Sequence, residues 1–423
     1  MPRSPQAPLR ILHAPRNIAG QAGDTVAALR RLGHQAEVWE DRHDAFGRPA
    51  DRVFGTNLDA GAVWALVEEA AERFDVIHFH FARTLAAPTV RGLPPFWDLP
   101  AYRALGRKVF FTFHGSDIRI ERIFRQANPW AVHIPPVDPA IDEQIEQSIP
   151  VMRAYADRLF LTSVNMFDFV PDGEYLPRVI DLAAWPEVPP EQHERAIVVH
   201  APTRRARKGT DLILAALEAL RAEGLEFELR LLEGVSHDRI RDELLAADVL
   251  VDNVVAGSYG VVSLEAMACN RVAVANLSPA VQRTHPDAPV VVVDPDTFQP
   301  TMRRLLADRD ARMAIAGRGR AYVEAVHDAE RVAERLVAAY REPAAPMPAT
   351  PDWVPPRRPR STGALEARVA RLEAELARAR RHELDLRARL GLGPERPSAA
   401  RRVVRAVLPP AVRTRLRRTL RQP

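Results

Sequence analysis

Residues 252–276, DNVVAGSYGVVSLEAMACNRVAVAN, begin as the end of an apolar strand, break at Gly257-Ser258-Tyr259-Gly260, and continue as a helical pattern whose one acid is Glu265. RVAVAN (271–276) then reads as a second apolar strand. A strand, a glycine-broken loop, a helix and a strand form a βαβ unit, so the stretch predicts a parallel sheet covered by helices. Its loop also has a chemical use. A helix N-terminus offers unpaired N-H groups and the positive end of a dipole, which suits an anion.

The same rhythm extends in both directions. Upstream, AIVVHAPT (196–203), TDLILAALEALRAEG (210–224), FELRLLEG (227–234), a helix near 237–246 and DVLVDNVV (248–255) precede it, and PVVVVD (289–294) follows. An earlier set reads LRILHA (9–14), a loop with Gly20 and Gly23, the helix DTVAALRRLG, and the strand AEVWE. A helix around 58–73 and the strands DVIHFHF (75–81), KVFFTFH (108–114) and RLFLTSV (158–164) complete it. Two Rossmann-like α/β domains are predicted, 1–185 and 186–341, joined through the proline-bearing stretch 175–194.

Beyond 341 the pattern changes. Seven prolines between 343 and 359 predict an extended linker over 342–363. Leu365, Val369, Leu372, Leu376, Ala379, Glu383, Leu386 and Leu390 alternate spacings of four and three, which predicts a short coiled-coil helix over 364–392 and a homodimer through it. The tail 393–423 interleaves Arg with Val and Leu, and Val412, Leu416 and Leu420 fall on one helical face. That face among arginines fits an anionic membrane surface, against the blander reading of a solubilising tail.

Composition narrows the classes. The chain has 423 residues, 47% of them hydrophobic, which is long enough for two cores and excludes a disordered chain. Its formal charge is +4, but residues 396–423 hold nine Arg and no acid, leaving 4 − 9 = −5 for the remainder. A mildly acidic body argues against a nucleic-acid groove. The single cysteine, Cys269, excludes an intrachain disulfide and a cysteine zinc cluster. With no run of about 18 apolar residues, the expected place is the cytoplasm, peripheral at the inner membrane face.

Three further constellations bear on chemistry. HAPTRRARKGTDLI places Arg204, Arg205, Arg207 and Lys208 in the connection after a strand, where ligands bind in open α/β sheets; crowded cations there suit an anionic ligand. FTFHGSDIR ends a strand at His114 and turns at Gly115-Ser116-Asp117, placing a histidine and a carboxylate at a cleft edge. His78 and His80 share one face of their strand, but with no third ligand evident they read as core or cleft-lining residues rather than a metal pair.

Taken in order, the early glycine loop with RLGHQAEVWE, DVIHFH, FHGSD, YLPRVIDL, APTRRARKGTDLI and SYGVVSLEAMACNRVAVA resemble the GT-B glycosyltransferases of retaining family 4 over residues 9–280. The resemblance implies two facing Rossmann-like domains that transfer a hexose-type sugar from a UDP- or GDP-sugar to a glycan, lipid-linked or envelope-precursor acceptor. It implies no cofactor and no obligatory metal. Lys208 and Arg205 would hold the donor diphosphate, His114 would contact the transferred sugar, and Glu265 would bind the ribose hydroxyls. Tyr259, Gly260 and Val261 would approach phosphate or sugar, with Gly20, Gly23 and Asp117 on the opposite side. Two positions depart from the family pattern: Gly257 stands where an acid is usual, and Thr203 where an arginine is usual. Two other readings stay open, a nucleotide-sugar epimerase and a non-catalytic glycan-assembly scaffold.

Overall fold

The computed structural model describes residues 7–44, 46–56, 58–86, 95–189 and 193–346. The expected coiled coil and tail, and most of the proline-rich linker, lie outside these residues.

The first sheet contains β1 (Arg10–Ala14), β2 (Gln35–Glu40), β3 (Arg52–Val53), β4 (Val76–His80), β5 (Lys108–Phe113), β6 (Arg158–Leu161) and β7 (Glu174–Tyr175), in the order β3-β2-β1-β4-β5-β6-β7. The second contains β8 (Ile197–His200), β9 (Glu228–Leu231), β10 (Val249–Asn253), β11 (Val272–Ala275) and β12 (Val290–Val292), in the order β12-β11-β10-β8-β9. All pairings between these strands are parallel. Helices on both faces bury the central strands completely, which explains why β4 and β10 read as continuous runs rather than alternations. In each sheet the strand order reverses beside the first strand, at β1/β4 and β8/β10, and such a reversal opens a crevice at the strands' carboxyl ends.

The two crevices face each other. Asn128 donates to the Val255 carbonyl at 2.8 Å, Ser163 Oγ lies 3.1 Å from Ser258 Oγ, and Arg178 donates to the Tyr259 carbonyl at 3.2 Å. The chain crosses between the halves twice, and the crossings run side by side: Ile180 N donates to His327 O at 2.8 Å, and Ala329 N to Ile180 O at 3.1 Å.

The last helix among the described residues, Ala329–Arg341, which the sequence pattern groups with the second domain, returns to the first. Val332, Ala333, Leu336 and Tyr340 form an apolar stripe that needs cover, and it shares a core with Ile11, Val26, Phe110 and Phe160. Among the described residues, no helix is long and apolar enough to cross a membrane.

Candidate functional site

The site begins at the end of β8. His200 is buried and uses both ring nitrogens, Nδ1 with the Val251 carbonyl at 2.7 Å and Nε2 with Thr210 Oγ1 at 2.8 Å. The basic stretch then forms one helical turn, Arg205–Lys208, closed by Gly209 in the left-handed region at φ +70°. A Cβ at Gly209 would meet Val254 Cγ2 at 2.6 Å, so only glycine lets the turn lie this close to the second sheet.

That approach brings Lys208 to Asp252, at the end of β10, and the two form an ion pair. The other oxygen of Asp252 accepts from Ser263 Oγ at 2.8 Å and from the Gly260 amide. One buried carboxylate thus fastens the basic turn, the glycine loop and the helix Val261–Ala268. Burial works to raise the Asp252 pKa, but the Lys208 charge and these hydrogen bonds outweigh it and hold the carboxyl below its usual range.

Further along that helix, Glu265 is buried and accepts from His237 Nε2 at 2.7 Å, with Arg48 Nη2 at 3.5 Å from the same oxygen. Arg48 comes from the first half. A Cβ on Gly20, itself at φ +80°, would lie 2.9 Å from the Arg48 guanidinium, so Gly20 makes room for that arginine. The Phe46 carbonyl accepts the His237 amide at 3.2 Å, which fixes the same loop across the cleft.

Between these groups lies a cleft of about 580 Å³, lined by Arg48, His114, Arg119, Arg204, Arg207, Lys208, Gly260, Val261 and Glu265 among others. Its charge balance is uneven. Arg119 and Arg204 have no carboxylate within salt-bridge distance among the described residues, and Nη1 of Arg207 is buried without a hydrogen-bond partner. Burial and the neighbouring Arg207 push the Arg119 pKa down to about 10. The N-H groups of Val261 and Val262, at the helix N-terminus, have no backbone acceptor among the described residues. Three arginines, a lysine and a helix terminus converge on the space an anion would fill.

The other expected residues divide by place. His114, Gly260 and Val261 line the cleft, while the Gly260 amide is already given to Asp252. Asp117 does not line it; its carboxylate accepts the His114 and Gly115 amides at 3.1 and 2.7 Å and shapes the turn, and burial raises its pKa to about 6. Tyr259 is buried, its hydroxyl 3.0 Å from that of Tyr322 and 3.2 Å from His327 Nε2, so its side chain anchors the loop from behind. Gly23 donates its amide to Asn17 Oδ1 at 3.0 Å. Arg205 is not brought to the cleft. It points outward, paired with Asp211 at 2.7 Å and Glu233 at 3.0 Å, because in a single turn only one side faces the second sheet, and Arg204, Arg207 and Lys208 flank the cleft instead.

Sequence reading missed Asp252, Arg119, Arg48 and His237. Asp252 left a signal, a charge inside the otherwise apolar strand DVLVDNVV, which is costly unless paired. The others sit in no motif and are assembled by packing. A second cavity of about 740 Å³ opens beyond Gly115, Arg119 and Gly257, with Phe124, Trp130, Met166, Phe169 and Leu277 in its walls. Gly257 itself, at φ +78°, leaves its side-chain position open, with no heavy atom nearer than 3.7 Å.

No protein family matches the sequence, and no curated protein does. Solved structures match the fold. Sucrose-phosphate synthase from Thermosynechococcus elongatus superposes with a TM-score of 0.55 at 19% identity, over 80% of this chain and 96% of that one. An alpha-glucosyltransferase, solved with UDP-glucose and DNA containing an abasic site, superposes with a TM-score of 0.54 at 12% identity, over 79% of this chain and all of that one. The chain has the GT-B fold. In GT-B terms, the first sheet's half is the N-terminal domain, the second the C-terminal domain, and the cation-lined cleft lies between them.

Proposed function

We propose that this GT-B chain is a retaining glycosyltransferase that takes a hexose-type sugar from a UDP- or GDP-sugar. The cations of the cleft carry this reading: Arg119 and Arg204 without carboxylate partners among the described residues, Arg207 with Nη1 unbonded, and Lys208 held by Asp252 surround one space beside a helix N-terminus, and a nucleoside diphosphate supplies the missing anion. As the glycosidic bond breaks, negative charge grows on the departing diphosphate. Lys208, already oriented by Asp252, and the arginines meet that charge without rearranging, which is where such groups lower a barrier. Glu265 accepts from the ribose hydroxyls once Arg48 yields part of its contact. No metal is required, because the cations supply the neutralising charge. His114 faces the sugar.

The acceptor we propose is a glycan, lipid-linked or envelope-precursor saccharide, seated toward the cavity beyond Gly115, whose apolar walls favour a lipid-linked one. The basic tail supports an inner-membrane setting for it. The alpha-glucosyltransferase above was solved with DNA, so an oligonucleotide belongs among the acceptors tried.

Gly257, where the family usually has an acid, favours a second reading, a protein that holds a nucleotide sugar without turning it over. Thermal stabilisation against UDP-, GDP-, ADP- and TDP-sugars, with and without chelator, tests both. One nucleotide class should raise the melting temperature, and Lys208→Ala and Glu265→Ala should abolish the effect. Stabilisation with no transfer to any acceptor supports the second reading, and no stabilisation by any donor sinks both.

A further inference from the structure

Three buried histidines of the N-terminal domain, His13, His78 and His80, have no part in the donor site, and they lie in line with His114, which lines the cleft. His13 on β1 pairs in register with His78 on β4, His80 lies two residues further on the same face, and His114 follows β5. Their rings stack in sequence, with centroids 4.7 Å apart for His13 and His78, 5.1 Å for His78 and His80, and 5.3 Å for His80 and His114. His13, His78 and His80 are essentially closed to solvent.

These rings do not converge on a point as metal ligands would. They form a line of hydrogen bonds. Thr112 Oγ1 lies 2.7 Å from His78 Nε2, and His78 Nδ1 lies 2.5 Å from the Tyr340 hydroxyl. That hydroxyl is 3.4 Å from His13 Nε2, His13 Nδ1 is 2.8 Å from His80 Nε2, and His80 Nδ1 is 3.0 Å from His114 Nε2. Only Nδ1 of His114 is left for the cleft.

Burial depresses the pKa of all four rings, so each is neutral and holds one proton. In a neutral imidazole one nitrogen donates and the other accepts. Each ring therefore dictates the next, and only two proton arrangements satisfy every link. In the first, every ring is protonated on Nε2 and the chain ends by donating to Thr112, whose own hydroxyl proton then has no acceptor among the described residues. In the second, every ring is protonated on Nδ1. Thr112 starts the chain as a donor, each buried proton finds an acceptor, and the one remaining donor, His114 Nδ1-H, faces the cleft. A buried donor left without an acceptor loses its hydration with nothing in return, which selects the second arrangement.

We infer that Tyr340, His13 and His80 are positioning residues that fix His114 in its Nδ1-H form, so that His114 donates a hydrogen bond to an oxygen of the bound sugar. The chain runs from a helix on the outside of the N-terminal domain to the reaction cleft. It gives the returning helix Ala329–Arg341 a role in the site that its packing alone does not require. The consequence for the ligand rests on the glycosyltransferase reading; the proton arrangement does not.

The test is long-range proton–nitrogen NMR of the full chain labelled with ¹⁵N-histidine, which distinguishes protonated from bare ring nitrogens. In the ligand-free wild-type protein, His13, His80 and His114 should all carry the proton on Nδ1. A proton on Nε2 of any of them overturns the inference, and this reading needs no variant. Tyr340→Phe cuts the line far from the cleft and should shift the His114 nitrogens to a mixture of forms. It should also weaken UDP-sugar binding by about three- to tenfold, the size of one neutral hydrogen bond, while UDP itself binds within twofold of wild type. A folded Tyr340→Phe protein with unchanged His114 signals equally overturns the coupling. If no nucleotide sugar binds the wild-type protein, the donor reading fails, while the NMR still decides the histidine chain.

Discussion

Arg48 Nη2, from the N-terminal domain, lies 3.5 Å from the same Glu265 oxygen that accepts His237 Nε2 at 2.7 Å. The closer, better-placed partner is the histidine of the same domain, and the arginine reaches across the cleft at a distance too long for a strong bond. Glu265 is therefore held in place by His237 and remains open to exchange Arg48 for another donor. Glu265→Gln should weaken nucleotide-sugar binding at least about tenfold, since hydrogen bonds to a charged acceptor contribute roughly 1.5–3 kcal/mol each. Arg48→Ala should change the affinity by less than about threefold. Titration calorimetry of both variants checks the pair; an equal loss in the two would mean that Arg48 belongs to the ligand site rather than to a displaceable contact.

Lys208 and Asp252 make opposite demands on a mutagenesis experiment. Removing only the lysine leaves a fully buried carboxylate with its hydroxyl and amide donors but no countercharge, and breaking a buried pair on one side typically costs about 3–5 kcal/mol. Lys208 is partly exposed, so the lower end is expected here. Lys208→Ala should lose both donor binding and stability, whereas Lys208→Ala with Asp252→Asn should recover most of the stability and none of the binding. Urea unfolding alongside calorimetry separates the two losses, and a double variant as unstable as the single one would refute the pairing.

Gly209 offers a backbone test of the same turn. It sits at φ +70° with Val254 in the way of any side chain, so Gly209→Ala combines left-handed strain with overpacking. A destabilisation of about 1–3 kcal/mol is expected. Because the turn carries Lys208, donor affinity should fall as well. Gly224→Ala, at φ +90° but with open space around its Cβ position, is the control: strain alone, with donor affinity retained. Equal affinity losses in both variants would show that the close approach at Gly209 is irrelevant to the site.

The legible part of this protein is the part that depends on local pattern. Strand and helix alternation exposed both sheets, and the loops at 204–208 and 257–260 declared themselves through clustered cations and glycines. Two things escaped for physical reasons. Which cations face the cleft depends on how one helical turn is rotated, and Arg205 and Arg207, two residues apart, end on opposite sides. The helix Ala329–Arg341 carries an apolar stripe that any uncovered face could satisfy, so nothing local says that it crosses back to β5 and sets Tyr340 against His78. Two-residue edge strands such as β3 and β7 leave no periodicity to detect.

The buried histidines predict a response to acid whose sign can be worked out. His13, His78, His80, His114, His200 and His327 have pKa values lowered by burial, to about 3 for His80 and His327. Unfolded, they bind protons below about pH 6.5. Between those values the unfolded chain holds more protons, so stability rises with pH and is lost as pH falls through this window. Four acids pull the other way: burial raises Asp24 and Glu40 to about 7 and Asp98 and Asp117 to about 6. Between about pH 4 and its folded value each is protonated in the fold yet ionised when unfolded, so each adds stability as pH falls through that window. Six histidines against four acids leave a net loss, and the melting temperature should drop steadily from pH 7 to pH 5. Asp24, which faces Arg48, Glu265, Asp181 and His237, isolates the opposing contribution: Asp24→Asn should be more stable than wild type at pH 8 and no more stable at pH 4. Scanning calorimetry across this range decides it, and a melting temperature that rises on acidification would mean that the acids dominate and the histidines are not buried neutral.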